Sequence, residues 1–155
     1  MRATEVTTGR RFVVALDDGE DFFPALDAFC RDTGIRAGHI PTFIGGFSSV
    51  RLVGSCGPLE HPERPLWDEI KVETLEVLGA GTLAWDTVNS KVAPHIHVTA
   101  GLKGASADGR TSHLLGGTVQ FISELVIEEW TAPTVTRPKS PDLYDVPLLT
   151  FGETN

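Results

Sequence analysis

From residue 37 to Trp130 the chain keeps one hydrophobic rhythm, period two, and only a sheet-rich fold can use it. Successive strand side chains point to opposite faces, so the run commits the chain to strands with one buried side. Before it lies the one segment with helical spacing, about residues 21–32, where Phe22, Leu26, Phe29 and Cys30 form an apolar stripe. Glu20 or Asp21 can cap its start, and Pro24 falls in the first turn, where a missing N–H is harmless. Gly34 stands where a C′ glycine belongs, with Ile35 set to fold back on Cys30. One helix followed by runs of strands predicts an α+β fold, with a mainly antiparallel sheet of about seven strands and one principal N-terminal helix.

In chain order the expected strands cover residues 11–16, 37–43, 47–53, 70–80, 82–88, 92–100 and 118–130. Ile44-Gly45-Gly46 reads as a break between two of them. The apolar phase of 70–80 shifts near Glu73-Thr74, which a bulge or a strand buried on both sides would explain. Residues 59–67, with His61, read as a loop because Pro58, Pro62 and Pro65 deny ladder donors. Asn89-Ser90 marks a hairpin turn, and the small residues 101–109 read as a flexible connection. Along 118–130, Val119, Phe121, Leu125 and Ile127 alternate with Gln120, Glu124 and Glu128. After Pro133 the tail is proline-rich; it is expected to run extended, with 146–151 as a short edge strand. The whole reads as a single domain over 1–155, with a core at about 11–131 and a Pro-rich extension at 132–155. So large a sheet under one helix leaves an apolar face that oligomerisation would cover.

The stretch richest in chemistry is Pro94-His95-Ile96-His97-Val98, an expected strand that puts His95 and His97 on one face. Such a pair can be hydrogen-bonded imidazoles or part of a metal site. Net charge is −8, with the basic residues scattered, which argues against a broad nucleic-acid surface. Cys30 and Cys56 lack framework or metal-pair spacing and read as buried thiols of a reducing compartment. No apolar run spans a bilayer, and the first residues lack a signal peptide's apolar core, so the expectation is a cytoplasmic protein without membrane contact.

Five motifs occur in order: Gly19-Glu20-Asp21, Gly34-Ile35-Arg36-Ala37-Gly38, Val72 to Gly79, His95-Ile96-His97-Val98, and His113-Leu114-Leu115-Gly116-Gly117-Thr118-Val119. Together they resemble the plants-and-prokaryotes-conserved (PPC) domain over about residues 11–131. The resemblance implies a homotrimer. It also implies that His95, His97 and His113 match histidines that many prokaryotic members bring together, in some cases around zinc. The chain departs from the family at Thr111-Ser112, where Gly-Gly often precedes the third histidine, and it has no Arg-Gly-Arg-Pro hook; Arg137-Pro138-Lys139 is only an echo of one.

If the strands at 92–100 and 118–130 are neighbours, His113 reaches the same face, and three imidazoles there suit Zn²⁺ with a fourth position open. Two functions follow. One is a trimeric regulatory or binding module, of the kind labelled DNA-binding, carrying a three-histidine metal site. The alternative is a metal-dependent hydrolase or lyase acting on a small molecule. A general base for the latter would come from Glu73, Glu76, Asp86 or Glu124, each of which reads more simply as a solvated sheet residue. His39 reads as an ordinary core or interface histidine. Ser112 lacks the G-x-S-x-G setting of a nucleophile.

Overall fold

The computed structural model describes residues 1–55, 67–143 and 145–152. Strand β1 (Thr7–Asp17) leads into helix α1 (Phe22–Thr33), whose buried stripe is Phe22, Leu26 and Cys30. Gly34 ends the helix in the left-handed region at φ 75°, donating its N–H to the Arg31 carbonyl at 3.2 Å. Asp21 is the N-cap residue, but the expected side-chain cap is not made. Its carboxylate instead accepts from the Thr118 hydroxyl at 3.1 Å, and the Glu20 carboxylate accepts the Asp17 N–H at 2.7 Å. These bonds tie the helix entry to the sheet.

Four long strands follow: β2 (Gly38–Ser55), β3 (Trp67–Asp86), β4 (Lys91–Leu102) and β5 (Ala105–Ala132). β2 pairs with β3 on one edge and β5 on the other, and β4 pairs with both β3 and β5. The four therefore close into a ring, with β1 added along the C-terminal half of β5. All of these pairings are antiparallel, as the sequence predicts. The core gathers the helix stripe with Phe43, Phe47, Leu83, Ile96, Leu114 and Ile127, each at most 1% exposed. Phe22 lies 5.0 Å from Phe43 and 5.8 Å from Phe47, ring centre to ring centre. Truncating a ring so enclosed costs about 3–5 kcal/mol.

Several boundaries differ from expectation, each for a local reason. Gly45-Gly46 does not break a strand; β2 runs straight through. A Cβ on Gly45 would lie 2.7 Å from Ser123 of β5, so these glycines permit close approach of strands. The expected strands 70–80 and 82–88 are likewise one, β3. Its phase shift is real, with Thr74 at φ 54°, but it is not a one-sided bulge against β2. Phe47 faces Leu75 and Ser49 faces Glu73 in unbroken register, while Phe47 and Val50 of β2 are both fully buried. Both strands change phase at one level and bend together. Residues 101–109 are not a loose connection: β4 turns into β5 at Lys103-Gly104, with Leu102 opposite Ala105. Phe121 leaves the alternation at φ 69° and is 73% exposed, its N–H donating to the Asp18 carboxylate at 2.7 Å. Cys30 is buried as expected; Cys56, His61 and most of the proline-rich loop lie outside the described residues.

The tail forms β6 (Val135–Thr136), β7 (Lys139–Ser140), a 3₁₀ turn (Pro141–Leu143), β8 (Val146–Pro147) and β9 (Thr150–Phe151). β6 lies parallel to β3 at Trp85, and β9 pairs with β6 at the sheet edge. Among the described residues no helix is long and apolar enough to cross a membrane.

Candidate metal centre

β4 places the first two histidines. β3 bonds one of its edges, β5 bonds the other from His97 onward, and Ile96 and Val98 point into the core at 0% and 2% exposure. His95 and His97 must then point outward. Across the ladder His97 faces His113 of β5, so the third imidazole joins the other two on the outer face of the ring. The ring centres lie 5.0–5.4 Å apart. One ligand atom from each histidine lies within 4.8 Å of the others. His95 Nε2 and His97 Nε2 are 3.2 Å apart. The next rung, Thr99 Oγ1 to Thr111 Oγ1 at 3.0 Å, holds the two strands in step, and the Ser112 hydroxyl donates to the Val53 carbonyl.

Among the described residues, one charged side chain is hydrogen-bonded to this cluster, and it comes from the tail. Arg137, only 9% exposed, donates Nη2 to Thr82 Oγ1 at 2.8 Å and contacts His95 Nδ1 through Nη1 at 3.3 Å. A guanidinium is donor only, so Nδ1 accepts and the neutral ring carries its proton on Nε2. Partial burial first, then the charge of Arg137 and the neighbouring imidazoles, lowers the His95 pKa to about 4. His113 is shifted the same way, by burial, then His97 and Arg137. Burial also lowers the Arg137 pKa from its usual range.

The donor set suits a divalent metal. With Zn–N bonds of about 2.0–2.1 Å, adjacent nitrogens of a tetrahedral site stand about 3.3 Å apart, close to the observed Nε2 separation. Downward-shifted pKa values keep His95 and His113 neutral, the form that ligates. His95, His97 and His113 would hold the ion.

The candidate bases are engaged elsewhere or stand apart from the cluster. Glu73 pairs with Lys71 at 2.8 Å, and Asp86 accepts from the Val88 and Asn89 N–H groups in the β3–β4 turn. Glu76 and Glu124 are not members of the ligand group. His39 stacks on Trp130 at 6.2 Å and lies 3.9 Å from Glu128, an ordinary structural setting. A surface cavity of about 340 Å³ beside the helix entry, lined in part by Ser49, Arg51, Lys71 and Thr118, contains none of the three histidines. Its two cations are already paired, Arg51 with Glu69 at 3.2 Å and Lys71 with Glu73. The residue that sequence reasoning missed is Arg137. A lone arginine after the last long strand carries no periodic signal, and only the docking of β6 shows where it points.

Residues 3–131 match the Plants and Prokaryotes Conserved (PCC) domain, the family that the motifs resemble. No curated protein matches the chain. Among solved structures, a metal-containing protein from Archaeoglobus fulgidus is 25% identical, with a TM-score of 0.80 over 97% of this chain and 99% of its own. A PPC protein from Pyrococcus horikoshii is 20% identical, with a TM-score of 0.80 over 100% and 99%. A proposed DNA-binding protein from Bacteroides thetaiotaomicron is 23% identical, with a TM-score of 0.76 over 94% and 97%.

Proposed function

The chain belongs to the Plants and Prokaryotes Conserved domain family, and from that premise we propose that it is a metal-binding regulatory module, working as a homotrimer, with zinc held by His95, His97 and His113. The observation that carries this reading is the convergence of three imidazoles from adjacent strands on one accessible face. The A. fulgidus relative, a metal-containing protein, supports the metal. Three neutral nitrogen ligands favour zinc over harder ions. A bound ion with only three protein ligands keeps a position open and supplies Lewis acidity there.

The trimer is supported by apolar residues on the same outward face. Ile44 and Leu78 are cross-strand partners, 54% and 57% exposed, and Leu78 lies one outward step along β3 from Ala80, the partner of His97. Apolar side chains so placed suit an interface between copies. The B. thetaiotaomicron relative brings in a role near DNA. With a net charge of −8, this chain would act there through partners or a small patch, not a broad basic surface. The second reading, a metal-dependent hydrolase or lyase, draws on the accessible outer edge of the trio, which a small substrate could reach.

Metal analysis of the purified protein, paired with sedimentation, tests the proposal. One zinc per chain is expected in a trimer, with the metal lost and the trimer kept in His97→Ala. A metal-free protein whose melting temperature ignores added Zn²⁺ would remove the metal reading. A His97→Ala variant that falls to monomers would instead make the histidines interface pins.

A further inference from the structure

Arg137 lies beyond the family match, which ends at residue 131, and the tail fixes it firmly. Its own N–H donates to the Trp85 carbonyl at 3.2 Å, and the Leu148 N–H donates to the Pro138 carbonyl at 2.9 Å. The side chain is thus delivered to the histidine face from a backbone held on both sides. Its setting is unusual for a buried cation. A guanidinium stays charged and is normally matched by a carboxylate when it leaves water. Here the partners among the described residues are neutral, a threonine hydroxyl and an imidazole nitrogen. The Nε atom is buried with no hydrogen-bond partner among the described residues.

The metal reading sharpens the imbalance. Three neutral imidazoles bring no negative charge, and among the described residues no carboxylate belongs to the ligand group. A divalent ion there would add two positive charges beside the one on Arg137. The hydrogen bonding shifts as well. When His95 ligates through Nε2, its ring proton must sit on Nδ1, the atom that now accepts from Arg137. Two donors would then face each other, and the guanidinium needs a new acceptor. Excess positive charge and displaced N–H donors call for the same thing, an anion with more than one oxygen.

We propose that Arg137 and the metal held by the histidine trio form one receptor for a small oxyanion, the carboxylate or phosphate group of a ligand arriving at the outer face of the ring. The inference rests on the metal reading above, and the test separates the two.

Co²⁺ replaces zinc, and its visible absorption first reports metal binding, in wild type, Arg137→Met and Arg137→Lys. Acetate and inorganic phosphate are then titrated separately, which distinguishes the two sources of oxyanion, with acetamide as the neutral counterpart of acetate. All three proteins keep the three ligands and are expected to bind Co²⁺, Arg137→Met at least as tightly as wild type because a repelling cation is gone. Acetate or phosphate should shift the wild-type spectrum saturably and bind at least about tenfold more weakly to Arg137→Met, the loss of one charge-assisted bond. Arg137→Lys keeps the cation but not the planar fork and should lose at least about threefold, which covers failure of Arg137→Met to fold. Equal oxyanion affinity in wild type and variants, with metal bound in each, would overturn the proposal, as would acetamide binding as well as acetate. If wild type takes up no metal, the metal reading fails on its own. Calorimetric titration of the metal-free protein with phosphate then decides the role of Arg137: binding weakened tenfold by Arg137→Met sustains it, and no binding ends it.

Discussion

Gly81 sits behind the histidine strand and touches none of the three imidazoles, yet Gly81→Ala should damage the site. Gly81 faces Ile96, the residue between His95 and His97. A Cβ there would lie 2.9 Å from Ile96 Cα and 2.7 Å from Ile96 Cγ1, and it would press on the His95 carbonyl as well. Carbon atoms pack best at about 3.5–4.0 Å, so β3 and β4 must part by about 0.6 Å or more. The shift falls at Ile96, one residue before the β4–β5 ladder begins with the His97–His113 pair, so it bears directly on that first rung. The displacement passes into the spacing of the three imidazoles, and a metal site tolerates only about 0.5 Å of error. Overpacking of this kind costs about 1–3 kcal/mol, or roughly 2–12 °C in a chain of this size. Metal affinity should fall by about 10–100-fold, the range for residues that support ligands. Thermal unfolding and competitive Zn²⁺ titration measure the two effects. Gly101→Ala is the control: the same change in the neighbouring strand β4, with the nearest atom at an ordinary 3.6 Å and no loss expected. Wild-type stability and affinity in Gly81→Ala would refute the claim that this close approach sets the spacing.

Two further outcomes follow from the titrating groups. Burial, then the nearby Asp27 carboxylate, pushes the Cys30 thiol up to about 12. In a Cys56→Ser background it should ignore a thiol reagent at pH 8 until denaturant is added, and rapid reaction of the folded protein would contradict its burial. In the metal-free protein the His95 pKa lies below its unfolded value of 6.5, at about 4, so the unfolded chain takes up the proton first. The stabilisation this gives is present above pH 6.5 and is lost as pH falls towards 4. Melting temperatures across that window should fall more steeply in wild type than in His95→Gln, and parallel slopes would refute it.

The sheet-rich fold and the outward pair His95 and His97 were legible because a strand's period is a property of its own residues. Gly34 was legible as a helix stop for the same reason, since the left-handed backbone it adopts is a local demand. Gly45-Gly46 was misread because the same dipeptide serves a turn or a close approach, and only Ser123 across the ladder decides which. Phe121 was misread because a single positive φ, fixed by a carboxylate on another segment, reverses its face. The place of Arg137 beside the histidines was invisible because it depends on where a short parallel strand docks, a contact between distant parts of the chain.

Most of the candidate centre is nevertheless local in sequence, since His95, His97 and His113 belong to the one hairpin formed by β4 and β5. An ion joining them would act as a cross-link over a short span, and tying a loop of about fifteen residues removes roughly 3 kcal/mol of freedom from an unfolded chain. Its grip would therefore fall first on this hairpin, before the long-range pairing of β2 with β5 closes the ring. The order in which the chain assembles, and not only its final stability, would then depend on whether metal is at hand.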